Sequence, residues 1–198
     1  EGENDRSETM NQVLTWLSGG DLRSDGMANE VASFVLDHPN AFEDLYAGLY
    51  EAQDVVRGRA ADALEKVSRR RPDLLVDHFP EIVILAGTEH VPLVKMHLAM
   101  IFGHLAVYPE LIGQLLPPLK DLLDDNSVFT RSWAITSLCI ISRKYPQECQ
   151  PIINLLVPLQ GDRSIAIRSR VRNGLRLLTD PNAKFPKGWI KSEHLQGL

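Results

Sequence analysis

FTRSWAITSLCII, residues 129–141, reads as one helix of a repeating unit, because three other stretches align with it position for position. They are VVRGRAADALEKV (55–67), LVKMHLAMIFGHL (93–105) and AIRSRVRNGLRLL (166–178). Each has a basic third residue, the anchor: Arg57, Lys95, Arg131 and Arg168, spaced by 38, 36 and 37 residues. A β-branched residue precedes every anchor (Val56, Val94, Thr130, Ile167), and an acid stands six positions before it (Glu51, Glu89, Asp125, Asp162). Apolar residues recur three after the anchor (Ala60, Leu98, Ala134, Val171), seven after (Leu64, Phe102, Leu138, Leu175) and ten after (Val67, Leu105, Ile141, Leu178). Offsets of three, seven and ten keep one stripe on one face of an α-helix. Four after come Ala61, Ala99 and Ile135, and then Arg172 in the last copy.

Between the copies the pattern supplies a second helix. Three copies run into a proline (Pro72, Pro109, Pro146), where a helix must stop or turn. Behind each proline lies another periodic apolar segment: 73–87, 110–125 and 147–161, ending in the turn that holds the acid. A weaker copy fits MANEVASFVLDHP (27–39) with AFEDLYAGLYEAQ (41–53), and NQVLTWLSGG (11–20) reads as a short capping helix closed by glycines. Ser24, Asp54, Ser127 and Ser164 mark expected helix starts, and Pro92 suits a first turn. No segment alternates as a strand does. The expected fold is all-α: a right-handed α-α superhelix of about five helical hairpins. Residues 1–23 form a polar N-terminus and capping helix, 24–179 the repeat domain, and 180–198 a tail that caps it.

Composition narrows the function classes. The chain has 198 residues, 44% of them hydrophobic and 24% charged, with net charge −5. That balance fits a soluble globular domain and gives no global pull toward nucleic acid or an anionic membrane. Its longest apolar stretch, Leu98–Tyr108, falls short of the ~18 residues a bilayer requires. The opening EGENDRSETM lacks the features of a secretory signal, and two cysteines, Cys139 and Cys149, make no disulfide framework. A reducing cytoplasm is the expected home.

These residues resemble the HEAT-repeat family, whose hairpins carry an Asp in the inner turn and a Val-Arg pair opening the second helix. Here that pattern stands as Glu51…Val56-Arg57, Glu89…Val94-Lys95, Asp125…Thr130-Arg131 and Asp162…Ile167-Arg168, within residues 24–179. Pro117 fits the family's first-helix proline; Pro80 lies near that position and Pro158 is displaced from it. The resemblance implies stacked hairpins whose second helices line a concave face. It also implies a structural role for the acid–base pairs, each carboxylate meeting the anchor of its own or an adjacent hairpin in a ladder.

No catalytic residue, metal ligand or cofactor site is expected. His90, His97 and His104 recur every seven residues, which separates neighbours by ~10 Å along a helix, too far to chelate one metal. Neither cysteine has a nearby His or acid in sequence, and no nucleophile elbow or phosphate loop occurs. Basic clusters at 57–71 and 163–176 are expected to serve the ladder and helix ends. Their sharper reading is a phosphate-tracking groove like that of the HEAT-like DNA glycosylases, but the aromatic and carboxylate constellation of those enzymes is missing. Nothing selects the HEAT-like phycobilin lyases. The leading expectation is a protein-interaction scaffold, with nucleic-acid binding or repair as the second reading. Positions two and nine after each anchor lie beside the core stripe and form the expected binding face: Arg59 and Lys66, His97 and His104, Trp133 and Ile140, Arg170 and Leu177. Phe185, Trp189 and Ile190 are the candidate cover for the last hairpin.

Overall fold

The computed structural model describes residues 12–18 and 27–198, through which ten α-helices run. They are α1 (12–17), α2 (Ala28–Asp37), α3 (Phe42–Ala47), α4 (Asp54–Ser68), α5 (Phe79–Thr88), α6 (Pro92–His104), α7 (Ile112–Leu122), α8 (Val128–Lys144), α9 (Cys149–Leu156) and α10 (Ile165–Thr179). In sequence they form five pairs, and the four aligned stretches fall on α4, α6, α8 and α10. No strand occurs among the described residues. Ser24, Gly19, Gly20 and the first eleven residues lie outside them.

The chain divides into two compact units, Glu1–Asp77 and His78–Leu198. In the first, α2 packs along α4 and the aromatic edge of Trp16 meets Phe34 at 5.3 Å. A Cβ on Gly48 would stand 2.9 Å from that of Ala60, so this turn reaches α4 only because it carries no side chain. Asp54 opens α4 without capping it. Gln53 holds the cap position, and the Asp54 carboxylate accepts a hydrogen bond from the Arg57 guanidinium at 2.6 Å.

In the second unit α8 packs between α6 and α10. The stripe is buried as its spacing demands: Leu98, Phe102, Leu105, Ala134, Leu138, Ile141 and Val171 are sealed from solvent. Leu175 and Leu178 are only half-buried and Arg172 is exposed. Ser127 Oγ accepts the Thr130 amide and Ser164 Oγ the Ile167 amide, capping α8 and α10.

The acids tie the turns together. Asp125 accepts the Ser127 amide at 2.8 Å and pairs with Lys95 of the preceding hairpin at 2.6 Å. Asp162 accepts the Ser164 amide at 2.8 Å and pairs with Arg131 at 2.5 Å. Glu89 accepts the amides of His90 and Val91. Arg57 and Arg168 donate instead to the carbonyls of Glu51 and Asp162 in their own turns. The Arg131 hydrogen bond, helped by the Ser164 amide, holds the Asp162 carboxyl below the usual carboxylate range. A carboxyl depressed on folding adds stability that is present above its unfolded value, about 3.9, and lost as pH falls through the folded value. Melting temperature followed downward from neutral pH should therefore separate wild type from Asp162→Asn above about pH 4, with the gap closing progressively at lower pH as the folded carboxyl is protonated. A gap that persists at the acid end would mean the carboxylate charge is not what stabilises this turn.

Candidate functional site

The second-helix layer of His78–Leu198 is built at unusually close range. A Cβ on Gly103 would lie 2.6 Å from Ser137 Oγ, and one on Gly174 would lie 2.9 Å from Cys139 Sγ. In both cases the residue eight after one anchor meets the residue six after the next, and at least one of the two is glycine. Ser137 donates to the Ala99 carbonyl at 2.6 Å, and Tyr145 to that of Ala106 at 2.7 Å. This seam escapes a reading based on apolar spacing, because its signal is smallness at two offsets.

Such proximity decides the fate of the positions beside the stripe. α8 is covered by α7 and α9 and by the second helices α6 and α10, so its buried arc is wide. His97, His104, Ile140 and Leu177 are buried, with His97 Nδ1 at 2.9 Å from the Leu93 carbonyl. His90 lies in the turn before α6 with its side chain exposed. In the first unit Arg59 is buried and donates to the Leu17 carbonyl, while Lys66 is half-buried against Asp62 at 2.7 Å. The neighbouring bases pair locally as well: Arg69 with Glu65, Arg71 with Asp73.

Trp133 and Arg170 are the pair the structure brings together at the surface. The Arg170 guanidinium lies 5.7 Å from the Trp133 ring centroid and donates to Thr136 Oγ1 at 2.9 Å, which fixes it against α8. Burial pulls its pKa below the ordinary arginine value, with Cys139 opposing. Residues 180–198 return over the same helices. Trp189 sets its ring 4.7 Å from Arg170, and Lys191 Nζ lies 4.9 Å from the Trp133 ring. Arg143, near the end of α8, donates to the carbonyls of Leu177, Asp180, Pro181 and Ala183. Trp189, Ser192 and Leu195 are buried; Phe185 and Ile190 are half-buried. Nothing at position 143 distinguishes it in the sequence, since the same offset in the other copies holds Arg69, Val107 and Asp180.

Chemistry of a nucleophilic kind finds no support at Cys139, whose burial pushes the thiol up to about 12 and so keeps it protonated at neutral pH. Among the described residues no three His, Cys, Asp or Glu side chains gather as a metal site.

No family model and no curated protein matches the sequence. Solved structures do. A computationally designed armadillo repeat protein for modular peptide recognition superimposes with a TM-score of 0.57 at 18% identity, over 85% of this chain and 73% of that one. The designed armadillo repeat protein YIII(Dq)4CqI matches with 0.57 and 18%, over 91% and 94%. An engineered protein from a structural genomics effort gives 0.58 and 16%, over 85% and 78%. The fold is an armadillo/HEAT-like helical repeat. At such identities the likeness carries the fold alone. No helix among the described residues is long and apolar enough to cross a membrane.

Proposed function

We propose that this armadillo/HEAT-like repeat is a non-catalytic scaffold that binds an extended segment of a partner protein on its second-helix face, centred on Trp133 and Arg170. The observation that carries the reading is the Trp133–Arg170 pair: an aromatic ring and a fixed, partly desolvated guanidinium side by side on adjacent helices. Tryptophan and arginine are the residues that most often anchor protein interfaces, and helical repeats offer extended surfaces for them. One solved relative in fold was designed for modular peptide recognition, which supports the same class of ligand. His97, His104 and Ile140 contribute as packing within the second unit, while Arg59 and Lys66 belong to the first. The acid–base ladder is structural in this reading. Two free cysteines suit a reducing compartment, the cytoplasm.

Nucleic-acid binding is the competing class, and the local pairing of Lys66, Arg69 and Arg71 with carboxylates weighs against it. A random-peptide library selected on the chain, with residues 180–198 intact or weakened by substitution, tests the proposal. Enriched peptides should lose about tenfold or more in affinity on Trp133→Ala while the melting temperature stays nearly constant. Failure of any peptide to enrich overturns the reading. So does duplex binding that weakens steeply between roughly 50 and 200 mM salt, the signature of phosphate contacts.

A further inference from the structure

We infer that residues 180–198 act as a built-in occupant of the α8–α10 surface, and that the surface takes extended peptides carrying an aromatic residue followed two positions on by a lysine. The inference rests on the reading of Trp133 and Arg170 as a peptide-binding centre and specifies its ligand and its control.

The segment is held the way a bound peptide is held. From Asp180 it runs back from the end of α8 toward its second turn, passing Arg143 first and Trp133 last. Those two residues are ten apart on one helix, ~15 Å. Between residues 180 and 192 it forms no helix or strand, only turns. At one end Arg143 grips main-chain carbonyls of Asp180, Pro181 and Ala183, contacts indifferent to side-chain identity. At the other end side chains are read. Trp189, Arg170, Trp133 and Lys191 form an alternating stack of rings and cations, with successive separations of 4.7, 5.7 and 4.9 Å. Two members come from the helices and two from the segment. Between the ends Lys184, Lys187 and Gly188 are exposed, while Phe185 is half-buried with its ring 6.4 Å from that of Trp189. The α8–α10 surface contributes one ring and one guanidinium at fixed positions. A ligand completes the stack by supplying a ring for Arg170 and a cation for Trp133, which Trp189-Ile190-Lys191 does. Cation–ring attraction falls if either partner is replaced by an aliphatic group. A partner segment with the same aromatic-x-lysine pattern, and free carbonyls six to nine residues ahead of it, would compete for the same positions.

The probe is a fluorescein-labelled peptide of residues 180–198, titrated into three full-length proteins and followed by anisotropy: wild type, Trp189→Ala/Lys191→Ala, and that double variant with Trp133→Ala. Circular dichroism melts verify folding; if the double variant does not fold, Lys191→Ala alone takes its place. Wild type should bind weakly and the weakened variant about tenfold or more tighter, and Trp133→Ala should remove that gain. The same two substitutions placed in the peptide should abolish binding to the weakened variant. Equal affinity for wild type and the weakened variant overturns the closure. A weakened variant that melts lower yet binds no peptide 180–198 makes the segment a structural cap and overturns the inference. Library peptides that bind wild type and weakened variant alike, and depend on Trp133, leave the scaffold reading standing while overturning control by the segment. Absence of any peptide binding in all variants overturns both.

Discussion

Phe102→Ala is expected to lower the unfolding free energy by about 3–5 kcal/mol, the largest single-residue effect in the second unit. Phe102 sits seven after its anchor on α6, is sealed from solvent, and meets the Phe79 ring edge-to-face at 6.2 Å. Truncation removes the buried ring, leaves a cavity between α5 and α6, and forfeits the aromatic pair. The helix itself gains slightly from alanine, by well under 1 kcal/mol, so propensity does not offset the loss. Urea unfolding at constant slope would show the change as a lower midpoint. Phe129 supplies the control: it is 72% exposed at the start of α8, and its alanine variant should stay within about 0.5 kcal/mol of wild type. Equal losses at the two positions would mean that burial on the repeat stripe does not govern stability here.

The contrast between these phenylalanines was legible in the sequence, because Phe102 lies on the three-seven-ten stripe and Phe129 lies two before the anchor. The same periodicity gave the helices, their prolines and the all-α architecture. It also located Asp125 and Asp162, since a carboxylate at a fixed distance before a base in every copy has a structural meaning that no single copy reveals. Asp54 marks the start of α4 as expected, but as its first residue, with Gln53 in the cap position. A capping residue and a first-turn residue look alike in one sequence, and the choice depends on whether Arg57 or a helix amide takes the carboxylate.

The expected binding face was harder to read. Offsets two and nine stand ~80–100° around the helix from the nearest stripe position, and one helix projection cannot say how wide a neighbour's cover is. Ser137 against Gly103 brings the helices close enough to bury His97, His104 and Ile140, leaving Trp133 and Arg170 half-buried against residues 180–198. Arg143 and the return path of residues 180–198 carry no periodic signal at all. Their pairing depends on where a nonrepetitive segment crosses a repetitive surface, a long-range property that sequence spacing does not encode.

Gly103→Val tests that close approach, with an expected loss of about 3 kcal/mol. Glycine inside a helix normally costs about 1 kcal/mol relative to alanine, so removing it should help unless something else forbids a side chain. At Gly103 a Cβ would stand 2.6 Å from Ser137 Oγ, 3.1 Å from its Cβ and 3.4 Å from its Cα. Rotating the hydroxyl away would abandon its 2.6 Å bond to the Ala99 carbonyl and leave a buried donor without its acceptor, at about 1–3 kcal/mol. Moving the helices apart instead would loosen α6 against α8, and overpacking of this kind costs about 1–3 kcal/mol. Ser137→Gly in the same chain should recover a large part of the loss, since it removes the obstructing side chain; a double-mutant cycle reads that recovery directly. Gly87→Ala, in α5, provides the opposite sign: its added Cβ meets nothing within 4 Å, so it should be neutral or stabilise by up to about 1 kcal/mol. If Gly103→Val proves as harmless as Gly87→Ala, α6 and α8 do not touch through Gly103 and Ser137, and the burial of His97, His104 and Ile140 needs another cause.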